Sequence, residues 1–321
     1  MLDDSDPAKS VVITGAFSYT GRYATRLLLD RGYKVRTLTF HPDRKSPFGD
    51  QVRTFPYNFD RPALLTATLR GASTLINTYW VRFPHGESNF ETAVQNSRAL
   101  IAAAREAGVQ HIVHVSIANP SLESRLDYYR GKAEVEQAVI GSGLSCAILR
   151  PTVIFGSEDI LINNIAWFVR RFPIFAIPGD GRYGVRPIYV EDMAQLIADA
   201  VGQQGNCVLD AVGPETFTFE ELVRLIAGCV GHKVRLVHVP APLAYAATLL
   251  MGLWVRDVVL TWQEYQGLMS NLLTSDCPSA GRVRLSQWLE DHYQQVGRKY
   301  ASEVARHFAG WRLGNAHRGQ L

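Results

Sequence analysis

Strand-like runs and helix-patterned segments alternate strictly through the first two thirds of this chain, and that alternation restricts the fold more than any other feature. Val11-Val12-Ile13 is a β-branched run that leads to Gly15. Gly21 to Arg31 then has helical spacing, with Ala24, Leu27 and Leu28 on one face and Gly32 as its stop. Lys34–Thr39, Val52–Tyr57 and Ser73–Asn77 read as the next three strands. Asn89–Ala107 is a long helix ended by Gly108, and His111–Ser116 and Ser145–Leu149 are strands five and six, with a helix from Tyr128 to about Ile140 between them. Pro187–Ala211 should return a strand, a helix and a strand to the same sheet, and the tail from Phe219 onward reads as helical. Strand and helix in strict turn imply right-handed crossovers, hence an α/β fold with a parallel sheet covered on both faces.

Composition removes several function classes. The 321 residues carry a formal charge of +3 and contain no lysine/arginine block or basic stripe, so nucleic acid is not an expected partner. The amino terminus, Met1 to Pro7, is acidic and polar, unlike a signal or transit peptide. Pro242 to Val255 is the most apolar stretch, too short and interrupted to span a bilayer. Cys146, Cys207, Cys229 and Cys277 lack metal-ligand spacing, and three of them sit in apolar runs. A reducing cytoplasmic setting fits this usage.

Parallel sheets of this kind bind ligands at the carboxyl ends of their strands. The first such end carries Thr14-Gly15-Ala16-Phe17-Ser18-Tyr19-Thr20-Gly21. Gly15 permits a tight turn and close backbone approach, Gly21 lets the helix start pack on the sheet, and the helix N-terminus offers N–H groups and a positive dipole end to a pyrophosphate. No Gly-Lys-Ser/Thr follows, so this is not a Walker loop. Further on, Tyr128 and Lys132 stand four apart and share a helix face. An ammonium beside a phenol favours the phenolate, which turns a group of reference pKa about 10 into a usable acid/base. Ser116 closes the apolar run Ile112-Val113-His114-Val115 just upstream. The Tyr–Lys spacing alone also occurs on solvated helices; it is the surrounding chain that gives it weight. His111 and His114 lie on opposite faces of strand five, away from acids, and no metal site is expected.

These elements, in this order, resemble the short-chain dehydrogenase/reductase superfamily, in its extended or atypical branch, over roughly residues 11–211. Thr14-Gly15, Ser18 and Gly21 fall on its T-G-x-x-G-x-x-G loop, with Ser18 in place of the middle glycine. Ser116, Tyr128 and Lys132 fall on its catalytic trio, Arg150 to Gly156 on its R-P-x-x-x-x-G segment, and Val190-Glu191-Asp192 on its V-x-D element. The resemblance implies a Rossmann-type doubly wound sheet over residues 1–157, completed by 186–212, with a smaller, mainly helical substrate and cap region in 158–185 and 213–321. It implies hydride transfer between a nicotinamide and a carbonyl or alcohol. Ser116 would polarise the substrate oxygen, Tyr128 pass the proton, and Lys132 hold the nicotinamide ribose. The segments His114–Ser116, Tyr128–Glu134 and Gln266–Ser275 are more specifically similar to the dehydrogenase-like accessory subunit of respiratory complex I, a group that holds the nucleotide with no established turnover.

Cofactor contacts then fall on Thr14, Gly15, Phe17, Ser18, Tyr19, Thr20 and Gly21, on Asn77, Thr78 and Tyr79 after strand four, on Lys132, and on Pro151 and Val153 after strand six. Ser18 either replaces a lost contact by bonding phosphate or weakens binding. Asn58 and Phe59 occupy the adenine edge, and Asp60 is expected to cap the helix that begins near Arg61-Pro62. Strand two ends without an acid to grip the ribose hydroxyls, so Thr39, His41 and Arg44 favour the 2′-phosphate of NADP over NAD. The alternative is that Arg44 and Lys45 only solvate a loop. Tyr79 and Trp80 should narrow the nicotinamide side, unless they are core aromatics under a loop.

Substrate contacts are expected from Trp80, Arg82 and His85 in an overhanging loop, and from Asn163, Asn164, Arg170, Arg171, Arg182 and Arg186. Trp254, Trp262, Trp288 and Trp311 gather around the apolar helix Pro240–Met251, as core or as a greasy surface for a quinone, lipid or protein. A small-molecule substrate, with peripheral membrane or protein contact through the C-terminal helices, fits this arrangement. Three readings stay open: an NADP(H)-dependent oxidoreductase on a small or hydrophobic carbonyl, a sugar-nucleotide epimerase or dehydratase with bound NAD, and a nucleotide-binding assembly or sensor protein without turnover. The acid-free end of strand two weighs against the second.

Overall fold

The computed structural model describes residues 9–84, 86, 88–203 and 205–304. Its elements begin β1 (Ser10–Thr14), α1 (Tyr19–Asp30), β2 (Lys34–Thr39), β3 (Val52–Pro56), α2 (Pro62–Leu69), β4 (Thr74–Asn77) and α3 (Phe90–Glu106). They continue with β5 (His111–Val115), α4 (Asp127–Ile140), β6 (Ser145–Pro151), β7 (Ile154–Phe155), α5 (Leu161–Arg171), β8 (Ile174–Pro178), β9 (Gly184–Val185) and β10 (Ile188–Tyr189). The last are α6 (Val190–Val201), β11 (Cys207–Ala211), β12 (Phe217–Thr218), α7 (Phe219–Cys229), β13 (Arg235–Val239), α8 (Ala241–Val255), α9 (Trp262–Met269) and α10 (Leu285–His292). They divide into two compact units: Met1–Thr152 with Val190–Val212 and Ser275–Arg282, and Val153–Tyr189 with Gly213–Thr274 and the residues from Val283 onward.

The first unit is a doubly wound Rossmann-like α/β sheet. Its seven strands are all parallel, in the order β11-β6-β5-β4-β1-β2-β3. Helices α1 and α6 pack together on one face, and α2, α3 and α4 form a row on the other. With both faces covered, β1 and β4 are almost wholly buried, which is why they read as continuous apolar runs. The core between the sheet and α2–α4 is built on Val12, Leu38, Leu75, Leu100, Ile112 and Ile148. The chain leaves β1 for β2 and β3 on one side and later returns to lay β4, β5 and β6 on the other. That reversal opens a crevice at the carboxyl ends of β1 and β4.

Only part of the expected strand–helix–strand return reaches this sheet. α6 and β11 do, whereas β10 pairs in parallel with β7 in the second unit, through Ile188–Ile154 and Tyr189–Phe155. The run is two residues long, preceded by Pro187, which has no N–H for a ladder.

The second unit is mainly helical, with three two-stranded pairs, β7–β10, β9–β12 and β8–β13. α5 packs on α7 around Phe155, Ile162, Ile165, Leu222, Ile226 and Trp288. α7 and α9 each open on a complete capping box, Thr218 with Glu221 and Thr261 with Glu264. Of the tryptophans expected around the apolar helix, Trp254 lies in α8 and Trp262 meets Tyr245 of α8. Trp288 instead stacks on His292 and meets Phe155, and Trp311 lies outside the described residues. No helix among the described residues is long and apolar enough to cross a membrane.

Candidate functional site

The crevice is tied shut at its base by two threonines. Thr78 Oγ1 donates to the Thr14 carbonyl at 2.5 Å, and Thr14 Oγ1 accepts from Thr78 N at 2.7 Å, so the ends of β1 and β4 are held as one edge. Gly15 follows at φ +68° and donates its N–H to Leu38 O. That left-handed conformation suits glycine. The turn closes where Ser18 N donates to Gly15 O, and Ser18 becomes the N-cap of α1, its Oγ accepting from Gly21 N at 3.4 Å. The helix therefore begins at Tyr19, two residues before the apolar spacing becomes visible, with Tyr19 and Thr20 in its first turn and Phe17 beside Phe48 in the loop. The cap occupies an acceptor site on Ser18 Oγ and leaves its hydroxyl hydrogen uncommitted by that bond.

A Cβ on Gly21 would lie 2.1 Å from Gly15 O and 2.9 Å from Ser18 Oγ. Gly21→Ala should therefore push the loop open and weaken nicotinamide nucleotide binding by at least about tenfold, with the sheet intact by circular dichroism. Titration with NADPH and NADH measures it. Unchanged affinity in a folded variant would remove this loop from the site.

At the ends of β2, β3 and β4 four aromatic rings form one cluster. Tyr57 stacks on Phe59 at 4.8 Å and lies 4.5 Å from Phe40 and 5.2 Å from Tyr79. Phe40 is 59% exposed, so the cluster has an open edge. Tyr79 belongs here, its hydroxyl accepting from Asn96 of α3, and burial pushes the Tyr57 and Tyr79 phenols up, so both stay neutral. The two residues expected to narrow the nicotinamide side, Tyr79 and Trp80, thus separate: Tyr79 joins this aromatic cluster, and Trp80 lies against Tyr128 and Lys132. Asn58 takes the left-handed turn position at φ +49°. Asp60 does not cap α2: the N-cap is Arg61, without a side-chain bond, and Pro62 at the first helical position removes one N–H donor that would otherwise need a partner. Asp60 instead pairs with Arg61 at 3.6 Å. After β2, Thr39 Oγ1 accepts from His41 N, and His41 O accepts from Arg44 N, which curls His41 and Arg44 into one turn.

On the other side of the crevice, β5 delivers His114 and Ser116, two positions apart and so on one face. Ser116 is buried, and its Oγ has no hydrogen-bond partner among the described residues; the same holds for His114 Nε2 and Trp80 Nε1. Lys132 of α4 is buried beside them. Its Nζ donates to Val115 O at 3.0 Å and sits 4.7 Å from the Trp80 ring centroid. Burial pushes this ammonium down to about 7, against an opposing pull from Glu136. Burial and the Lys132 charge hold His114 down to about 3, so it is a neutral imidazole, facing Asn77 Nδ2 at 3.3 Å. Asn77 Oδ1 meanwhile accepts from Tyr79 N, which braces the turn. The Tyr128 ring meets Trp80 edge-on at 5.8 Å, so Trp80 touches both members of the Tyr–Lys pair. Room for that indole depends on Gly131, where a Cβ would lie 2.9 Å from Trp80 Cη2. Arg82 follows, its guanidinium 5.7 Å from the Phe83 ring, and His85 lies outside the described residues. Arg150 forms a two-bond pair with buried Glu136, at 3.0 and 2.5 Å, while Pro151 O accepts from Ala118 N.

The remaining predicted contacts belong to the second unit, and most are engaged within it. Val153 O accepts from Ile188 N, next to the β7–β10 pair. Asn163 donates to Gly156 O and the Asp159 carboxylate and accepts from Gly297 N. Asn164 both donates to Ala301 O and accepts from Ala301 N. Arg170 and Arg171 donate to the carbonyls of Tyr293, Val296, Gly297 and Arg298. Expected at a substrate mouth, these four side chains instead fasten residues 293–301 to α5. Arg186 Nε donates to Gly213 O at 2.8 Å. Asp159, which the spacing did not single out, is buried with its carboxyl pushed up to about 7 by desolvation, against donors from Ile162, Gly156 and Asn163. No His/Cys/Asp/Glu cluster able to hold a metal occurs among the described residues.

The profile of the NmrA-like family matches residues 7–272. NADH dehydrogenase [ubiquinone] 1 alpha subcomplex subunit 9, mitochondrial, of Arabidopsis thaliana is 27% identical over 284 residues, 82% of this chain and 70% of that protein. A ceramide reductase of Caulobacter vibrioides is 29% identical over 257 residues, 78% of this chain and 80% of that protein. Among solved structures, MoeE5 in complex with UDP-glucose and NAD superposes with a TM-score of 0.65 at 18% identity, covering 90% of this chain and 99% of its own. Citrobacter sp. triphenylmethane reductase complexed with NADP(H) gives 0.63 at 18% identity, covering 88% and 99%. At that identity the structural likeness is one of fold.

Proposed function

The chain belongs to the NmrA-like family, within the extended, atypical branch of the short-chain dehydrogenases/reductases, and we propose that it is a nicotinamide-dependent oxidoreductase acting on an apolar carbonyl or alcohol. The observation that carries this reading is the buried Ser116 hydroxyl, without a hydrogen-bond partner among the described residues, near the buried Lys132 ammonium. A desolvated polar atom left unbonded costs about 1–3 kcal/mol unless a ligand completes it. Gly15 and Gly21 keep the turn before α1 tight, and the N–H groups at the start of that helix would suit a pyrophosphate.

A bound nicotinamide supplies or accepts the hydride. Ser116 Oγ donates to the substrate oxygen and polarises the C=O bond. Tyr128 gives its phenolic proton to that oxygen as the hydride adds to carbon, so the π bond becomes one C–H and one O–H bond. Lys132 carries positive charge beside the phenolate left behind. Thr39, His41 and Arg44, with no acid at the end of β2, favour the 2′-phosphorylated cofactor. The name of the Caulobacter vibrioides relative supports a lipid-like substrate.

One observation favours a second reading, nucleotide binding without turnover: the Trp80 ring lies against both Tyr128 and Lys132, in space a substrate needs. The names of the complex I relatives fit that alternative. Identification of the nucleotide released from purified protein, followed by its redox state during incubation with long-chain ketones and alcohols, separates the two. NADP(H) that turns over supports the oxidoreductase. A retained nucleotide that never changes redox state on any substrate removes it, and NAD(H) alone removes the role given to Arg44.

A further inference from the structure

Helix α8 is built from apolar, small and aromatic side chains with no charged group in its 15 residues, yet Ala244 is its only buried residue. Leu243, Leu249, Leu250, Leu253 and Trp254 are 62%, 51%, 70%, 78% and 63% exposed. Leu243, Leu250 and Trp254 recur at helical spacing, so these side chains form one outward stripe and not scattered surface leucines. The C-terminal end of the stripe is aromatic and basic. Trp254 lies 5.6 Å from Trp167, and the Arg171 guanidinium sits 4.3 Å over that Trp167 ring. Arg171 also holds Arg298 O, Arg298 and Arg171 are near enough to Arg170 to oppose its charge, and Lys299 follows, exposed. Arg256 caps the helix itself. Acids also lie beside this rim: Asp257, tied to Tyr300 Oη and to the backbone N–H groups of Glu303 and Val304, and Glu303 itself, which is buried.

We infer that α8 is a membrane-surface helix, laid in the plane of an anionic phospholipid bilayer with its leucine stripe among the acyl chains and Trp254 and the basic rim at the headgroups. At about 22 Å the helix is too short to cross a hydrocarbon core of about 30 Å. Tryptophan and long cationic side chains beside an apolar helix match the interface layer, where rings sit at headgroup level and cations meet anionic lipid. Charge favours this occupant: anionic headgroups meet the basic rim with opposite charge, whereas a second copy laid parallel would bring its own Arg256, Arg298 and Lys299 to the same place. The assignment does not depend on the redox reading.

The full-length protein is sedimented with vesicles of phosphatidylcholine alone and of phosphatidylcholine with roughly one quarter phosphatidylglycerol, with tryptophan emission followed in parallel. Binding should be stronger to the anionic vesicles, weaken at about 0.5 M salt, and shift the emission to the blue. Leu250→Glu/Leu253→Glu, changed only at exposed positions and melting like the wild type, should lose at least about tenfold in partitioning, and Lys299→Glu a few-fold on anionic vesicles alone. Equal binding by the double variant, or no binding by the wild type to either vesicle, overturns the inference. A wild-type dimer that the double variant converts to monomer assigns the face to a second copy. Binding that emerges only when residues 305–321 are removed assigns it to the chain's own tail.

Discussion

Exchanging Tyr128 for phenylalanine should lower turnover at least about a hundredfold and leave nucleotide affinity within about twofold. The ring makes edge contacts with Trp80 and Phe90, both at 5.8 Å, and phenylalanine keeps them. Only the hydroxyl is lost. If that hydroxyl supplies the proton, the substrate oxygen must take one from water in a crevice lined by Trp80 and the buried Ser116, and kcat falls while the substrate KM changes little. Single-turnover rates with excess protein isolate the chemical step from product release. Wild type and Tyr128→Phe reducing every ketone at equal rates would exclude the phenol from the chemistry and leave nucleotide binding as the site's role. Ser116→Ala provides the complementary comparison: its effect should also appear in kcat, because the hydroxyl polarises the same oxygen.

The pair itself was legible because its information is local. Four residues of helix set the Tyr128–Lys132 face, the β1–glycine–α1 turn lies within eight residues, and strict alternation dictates a parallel sheet whatever the packing details. What escaped depends on approach across long separations. Arg170 and Arg171 reach carbonyls near residue 297, and Asn164 reaches Ala301, through a fold of the second unit that no spacing announces. Tyr79 and Trp80 are sequence neighbours at a strand end, so their side chains point to opposite sides and join different clusters. One faint signal was available: Gly131, directly before Lys132, breaks an otherwise good helix former run and is there because Trp80 needs the space. Phe40 and Tyr57, at the ends of β2 and β3, likewise occupy positions where a ligand edge is expected, and their aromatic character alone could have marked them.

Lys132→Met should produce a more stable, functionally impaired protein, with a gain that disappears as pH rises. The ordinary lysine value is 10.5, and burial holds Lys132 at about 7 in the fold. Between those values the unfolded chain binds a proton that the folded chain does not, so wild-type stability rises with pH across that window. Below about pH 7 both states are protonated and the full penalty of a buried ammonium applies, offset in part by the bond to Val115 O and the contact with the Trp80 ring. Methionine removes the charge at similar volume. The variant should therefore exceed wild type by on the order of 3 kcal/mol at pH 6, and the difference should shrink toward zero by about pH 10. Asp159 titrates in both proteins, whereas His114 is held down in part by the Lys132 charge and rises in the variant. A comparison of thermal or urea unfolding therefore isolates Lys132 from about pH 7 upward, where the imidazole is neutral in the folded proteins. On the proposed reading, in which this ammonium also bonds the nicotinamide ribose, nucleotide affinity should fall at least about tenfold in the same variant. A variant that melts below wild type at pH 6, or a difference that does not change between pH 7 and pH 10, would mean that Lys132 is a structural cation whose burial stabilises the crevice.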